Sequence, residues 1–214
     1  MAQNARAFTP AEAAVVSGLG RKAIDNAIDK RLVPIVASPS VDLADPGGTR
    51  RKRRLISKTD LLWIYVNSRA GGAIPVEARP ALYERFAANV DAPKFRVSDL
   101  VIIDLAAARR EVEARERALD RAKASIASDP DVIGGEPVFV GTRVPVYDVA
   151  ASLDKGISRE RILAAYPLLD GDGLDQALLY AEAFPPRGRP RGAPRTSPPL
   201  APVKEAAVRR RPPG

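Results

Sequence analysis

The sequence predicts a mainly α-helical protein with short β-strands, an α+β chain made of two small folded modules and a tail. Apolar residues at helical spacing on both sides of a glycine turn predict a helix-turn-helix near the N-terminus. Short β-branched segments bounded by turn residues predict strands between the helices. From Pro185 onward Pro, Gly and Arg dominate, which predicts a tail, 185–214, that is disordered when free.

The first two helices are predicted from their ends and their apolar spacing. Thr9-Pro10 is typical of an N-cap followed by proline in the first turn, and this helix, 10–17, ends at Gly18. The second helix covers 21–31, where four apolar residues recur at helical spacing. They are Ala23, Ile24, Ala27 and Ile28.

A wing and a third helix are predicted to complete the first domain, 1–68. A strand at 32–37 and a returning strand at 53–57 enclose turn-forming residues. Ser57 is the expected N-cap of a helix over 60–68. The wing carries a basic run consisting of Arg50, Arg51, Lys52, Arg53 and Arg54. This order of elements resembles the winged helix-turn-helix of MerR-like regulators.

The rest of the folded chain is predicted as a linker with a helix, 69–94, and a second module, 95–184. The segment 95–105 is rich in β-branched residues and predicts one or two strands, whereas 106–125 predicts a charged connecting helix with a solvated face. Strand pieces are expected at Ile126, 138–140 and 143–146, and helices at 147–154, 158–166 and 173–183. The predicted core of this module is Leu153, Ile157, Ile162, Leu163, Tyr166, Leu169, Leu174, Leu178 and Leu179.

Composition narrows the chemistry that the chain can perform. The sequence has no His and no Cys, which excludes zinc sites of the ordinary type and nucleophilic sites that depend on His or Cys. We therefore expect no enzyme activity, no metal and no cofactor, with a magnesium-dependent nuclease built from carboxylates as a remaining alternative. The sequence shows no long apolar run and no signal-like N-terminus, so we expect a cytoplasmic protein without a membrane partner.

The net charge of +8 is divided unevenly along the chain. Residues 1–76 hold 12 basic and 6 acidic residues, whereas 129–184 hold 4 basic and 10 acidic residues. The tail, 185–214, holds 8 basic and 1 acidic residue. Nucleic-acid binding is therefore expected of the basic segment, 1–76, and the acidic segment, 129–184, is assigned to dimerisation or partner binding.

Residues 128–184 resemble the family catalogued as domain of unknown function 433. The resemblance rests on the string SDPDVIGGEPVFVGTRVPV and on the segments DVAASLDKGISRERILAAYPLL and DQALLYAEAF. Together with the helix-turn-helix and the RGRPR tail, it resembles a subset described as VapB-type antitoxins. The resemblance implies a helix-turn-helix-like dimerisation module, a homodimer, repression of its own operon, and a hetero-oligomer with a PIN-like ribonuclease toxin that the antitoxin inhibits.

Two sets of residues are the candidate binding sites. The expected DNA-binding residues lie on the second helix and the wing: Arg21, Lys22, Asn26, Lys30, Arg50, Arg51, Lys52 and Arg53. The expected toxin-binding residues lie in the tail: Arg187, Arg189, Arg191 and Arg195. Guanidinium groups bind carboxylates bidentately, which suits a metal-dependent ribonuclease cleft. The alternative is a stand-alone transcriptional regulator, because Arg187-Gly188-Arg189-Pro190-Arg191 matches the core of an AT-hook.

Overall fold

The computed structural model of the chain describes residues 6–30, 32–33 and 55–186. The predicted wing strand at 34–37, the basic run at 50–54 and the arginines of the tail lie outside these residues. The DNA-binding role of Arg50, Arg51, Lys52 and Arg53 and the toxin-binding role of 187–195 therefore stay predictions.

The described chain is mostly helical with short antiparallel strand pairs, as the sequence predicts. The helices are α1 Pro10–Ser17, α2 Arg21–Asp29, α3 Lys58–Arg69, α4 Arg79–Ala88, α5 Leu105–Ala124, α6 Val146–Asp154, α7 Arg159–Ala165 and α8 Gly171–Ala183. The strand pairs are β1 Ala7–Phe8 with β2 Ile56–Ser57, β3 Lys94–Arg96 with β4 Ile102–Asp104, and β5 Ile126–Ala127 with β6 Val138–Phe139. A 3₁₀ turn, Ile133–Gly135, lies between β5 and β6.

Local capping chemistry places several helix ends where the sequence predicts them. Thr9 and Glu12 form a capping box at the start of α1, and Gly18 ends that helix with a φ of 64°. The side chain of Ser57 accepts a hydrogen bond from the backbone of Asp60 at the start of α3. These ends depend on neighbouring residues alone, which is why the sequence reveals them.

The strand that precedes α3 has a partner that the sequence does not predict. Ile56 lies opposite Phe8, so β2 pairs with β1, the strand before the first helix. The predicted pairing with 34–37 involves residues outside the described chain. Leu32 and Val33 form a bend and not the start of a strand. Phe8 and Ile56 are both buried, so this two-residue ladder fixes the entrance to α1 beside the entrance to α3.

The first hydrophobic core joins the N-terminal helices to α4 and α5. Trp63 is fully buried at its centre, where its ring lies 5.1 Å from that of Phe86 and 6.3 Å edge-on from that of Phe95. Helix α5 contributes Leu105, Ala108, Val112 and Leu119 to the same core. The core therefore crosses residue 95, where the sequence predicts a domain boundary.

The second core fills the family-like module. Its buried residues are Ile126, Phe139, Val146, Val149, Ala150, Ile162, Leu174 and Ala177. Of the predicted core, Ile162 and Leu174 are buried, and Leu153, Leu163, Tyr166, Leu169 and Leu178 pack against them. The prediction is wrong for Ile157, which is 37% exposed because it lies in the turn between α6 and α7.

Helix α8 is shared between the two cores. Leu174 and Ala177, in its first two turns, are buried in the second core, whereas Ala183 at its end is buried in the first. Leu179, which the sequence assigns to the second core, and Phe184 pack against the first core instead. The N-terminal helices and the family-like module are therefore packed together through one helix. Among the described helices, none is both long enough and apolar enough to span a membrane.

Candidate nucleic-acid interface

The turn between α1 and α2 is short and held by local hydrogen bonds. The hydroxyl of Ser17 donates to the carbonyl of Ala13 over 2.6 Å and accepts from the backbone N–H of Leu19 at 3.2 Å. Gly18 supplies the left-handed backbone that reverses the chain, and Gly20 then starts α2. The result is a helix, a three-residue turn and a second helix, the order that recognition of a DNA major groove uses.

Helix α2 has one buried face and one exposed face. Ile24, Ala27 and Ile28 are buried against the first core. The four predicted DNA-binding residues that the structure describes are all exposed: Arg21, Lys22, Asn26 and Lys30. Their cationic and amide groups are the types that reach phosphates and base edges. Asp25 pairs with Arg21 at 3.0 Å and Asp29 is exposed on the same helix, so two carboxylates offset the charges of Arg21 and Lys22.

The chain that leaves α2 towards the predicted wing is attached to the core. The indole N–H of Trp63 donates to the carbonyl of Leu32 over 2.9 Å, and Val33 is buried beside it. Because Trp63 is fully buried, this bond fixes the backbone shortly after α2. The backbone at Leu32 is thereby held by α3.

Helix α3 is held by a buried carboxylate. Asp60 accepts from the hydroxyl of Ser57 at 2.7 Å and from the hydroxyl of Tyr83 at 2.5 Å. Burial and this hydrogen bond raise the pKa of Tyr83 well above its ordinary value, so Tyr83 stays a donor. The contacts tie α4 to the start of α3.

Helix α5 is joined to the N-terminal elements by ion pairs along its acidic side. Arg6 donates to Asp120 at 2.6 and 2.7 Å and pairs with Glu116 at 3.0 Å. Lys58 at the start of α3 lies 3.3 Å from Glu116 and 3.4 Å from Glu113. The hydrogen bond from Arg6 holds the pKa of Asp120 below its ordinary value.

The sequence does not reveal that these acidic residues of α5 pair with other elements. The sequence predicts a solvated face for this helix, but Glu116 is buried, and its partners are Arg6, just before β1, and Lys58 of α3. Regular spacing of charges on a helix looks the same whether its partners lie on the helix or on another element. No feature of the sequence distinguishes the two cases.

The second module presents acidic groups at the start of α8. Asp170 caps α8 by accepting from the backbone of Gly173 at 2.8 Å, and Asp175 pairs with Arg159 of α7 at 2.8 Å. Asp172 lies in the first turn, where a carboxylate suits the helix dipole. Each of these acids therefore has a structural role, and their charge disfavours contact with phosphate.

The glycine-rich string of this module has a backbone role. Gly134, Gly135 and Gly141 have φ values of 63°, 82° and 74°, a left-handed backbone that glycine adopts without strain. In the described structure no ion pair joins Arg143 to Asp129 or Asp131. Asp129 instead accepts from the backbone of Asp131 at 2.9 Å. Nor do the described residues contain a group of three or more acidic side chains placed to hold a metal ion.

Comparison with known proteins gives one family and one relative. Residues 126–181 match the family described as a protein of unknown function, DUF433. The chain is similar to the uncharacterized protein y4eO of Sinorhizobium fredii, with 42% identity over 113 residues, which are 53% of this chain and 51% of that protein. The chain thus spans about half the length of the curated relative it matches. No solved structure matches the chain.

Proposed function

We propose that this chain is the antitoxin of a type II toxin-antitoxin system. In this proposal the N-terminal helix-turn-helix binds operator DNA and represses the operon, and the C-terminal tail inhibits a PIN-like ribonuclease. The observation that carries the DNA-binding part is the exposed face of α2, where Arg21, Lys22, Asn26 and Lys30 all lie on the surface while the apolar face is buried. The toxin-binding part rests on the sequence of the tail and on the family resemblance.

The DNA-binding part is tested with α2 variants and a labelled duplex from the region upstream of the chain's own gene. Lys22→Gln is expected to weaken binding and to make the dependence of affinity on salt shallower by about 0.9 in log–log slope, the value for one lost phosphate contact. Asn26→Ala is expected to reduce discrimination between this duplex and a scrambled one, because amide side chains read base edges. Lys155→Gln, an exposed lysine at the end of α6, is the matched control.

The toxin-binding part is tested by co-expression with the neighbouring reading frame. Removing residues 187–214 leaves all the described residues in place, since the described chain ends at Pro186. This truncated chain is expected to keep its DNA affinity and to lose the ability to rescue growth. If it still rescues growth, or if the neighbouring frame is not toxic, the antitoxin proposal fails.

A stand-alone regulator is the second candidate, favoured by the match of 187–191 to an AT-hook core. An AT-hook places arginine in the narrow minor groove of A·T-rich DNA. In that case removing 187–214 lowers affinity for duplexes with A·T-rich flanks and has no effect on flanks rich in G·C. The same truncated protein therefore separates the two candidates.

A further inference from the structure

Arg115 of α5 lies directly beside the turn of the helix-turn-helix. A Cβ atom added to Gly18 would lie 2.9 Å from Nε of Arg115 and 3.1 Å from its Cζ. The guanidinium group therefore occupies the space that any larger residue at Gly18 would need. Arg115 of the connecting helix is thus in contact with Gly18, which lies three residues before Arg21, the first residue of α2.

The position of Arg115 is set by a cluster that spans α3 and α5. Its Nη1 lies 3.5 Å from the carboxylate of Glu111, and the same carboxylate oxygen accepts the hydroxyl of Tyr65 at 2.5 Å. The guanidinium of Arg69 lies 5.5 Å above the ring of Tyr65. Glu111 is therefore shared between a short hydrogen bond and a long ion pair. The side chain of Arg115 remains 36% exposed.

We propose that Arg115 binds a phosphate of the DNA backbone beside the α1–α2 turn, so that α5 forms part of the DNA interface. In a helix-turn-helix the first residues of the second helix contact base edges while the first helix crosses the backbone of the duplex, so a cation beside the turn between the two helices is well placed to reach a phosphate. A planar guanidinium binds phosphate bidentately, and one already held in place loses less rotamer freedom on binding than a free one. This inference rests on the proposed DNA binding.

The proposal gives α5 a role in recognition besides its role in the core. The helix would carry a phosphate contact on one side and the ion pairs to Arg6 and Lys58 on another. Arg117 is the natural comparison, since it is exposed on the same helix and residues two apart do not share a face. Charge alone would make Arg115 and Arg117 equivalent, whereas position beside the turn makes them different.

The experiment compares Arg115→Gln with Arg117→Gln in the full-length chain. Fluorescence anisotropy with the upstream duplex and with a scrambled duplex of equal length gives affinity as a function of salt. We expect Arg115→Gln to make the log–log salt slope shallower by about 0.9 on both duplexes, and Arg117→Gln to leave it unchanged. Equal effects of the two variants, or no effect of Arg115→Gln while the wild type binds, overturn the inference.

One further variant keeps the test decisive if Arg115→Gln does not fold. Arg115→Lys keeps the charge and is expected to keep the slope while binding more weakly, because lysine lacks the bidentate group. A shallower slope for Arg115→Lys contradicts the proposal. If the wild-type chain binds neither duplex, the proposed DNA binding itself fails, and this inference fails with it.

Discussion

Replacing Glu116 by Gln measures how much its ion pairs stabilise the packing of α5 against the N-terminal elements. Glu116 is 8% exposed and lies between Arg6 at 3.0 Å and Lys58 at 3.3 Å. Breaking a buried ion pair costs about 3 to 5 kcal/mol, whereas an exposed pair contributes about 0 to 1 kcal/mol. Here both cations are a quarter to a third exposed, and each keeps a second carboxylate, Asp120 or Glu113. We therefore expect a loss of about 1 to 2 kcal/mol, and glutamine keeps the volume so that no cavity contributes.

The chain carries its own probe for this measurement. Trp63 is the sole tryptophan of the sequence and is fully buried in the first core, so its emission follows unfolding of that core in urea. Far-ultraviolet circular dichroism follows the helices of both modules. Glu113→Gln is the matched control, with an expected loss below about 0.5 kcal/mol because its side chain is 36% exposed and Lys58 keeps Glu116.

Two results would refute the reasoning behind the Glu116 prediction. If Glu116→Gln costs no more than Glu113→Gln, the buried position of the carboxylate does not matter. If fluorescence and circular dichroism give separate transitions in the wild type, α5 and α8 do not couple the two cores.

The other predictions concern the cap of α1, the end of α8 and acid stability. Thr9→Ala removes the capping box and is expected to lower the stability of the chain by about 1 kcal/mol, measured by urea unfolding, with Thr9→Ser nearly unchanged. Tyr147→Phe removes the 2.6 Å hydrogen bond to the carbonyl of Phe184, so proteolysis near that residue should be faster; equal rates would contradict this. Because Arg6 lowers the pKa of Asp120 in the folded state, their pair stabilises the chain above about pH 4 and loses its effect as the pH falls below that. In Arg6→Gln the free energy of unfolding should fall less steeply below about pH 4, and an unchanged dependence on pH would exclude the pair as its cause.

The sequence predicts those parts of the structure that neighbouring residues determine. Thr9, Gly18 and Ser57 mark helix ends through bonds that span three residues, and the structure has those ends where they were expected. The buried face of α2 follows from its spacing of apolar residues in the same way.

The parts that sequence reasoning missed depend on contacts between distant segments. Strand β1 has only two residues, too few for an alternating pattern of apolar and polar side chains. The local sequence therefore does not predict its pairing with β2. The ion pairs of Glu116 join residues that nothing in the local pattern connects. The position of Arg115 beside Gly18 has the same origin, since only tertiary packing brings α5 to the turn.

The sharing of α8 between two cores affects how this chain can be divided for experiments. The family match ends at residue 181, two residues before Ala183, which is buried among the N-terminal helices. A fragment cut at the limits of the match would therefore lose the last two residues of α8 and expose Leu179 to water. An N-terminal fragment ending before β5 would lack Ala183 and Phe184, so the apolar surface of α1 and α5 that they cover would be exposed to water. Fragments intended to isolate one activity should accordingly keep both modules and differ only after Pro186.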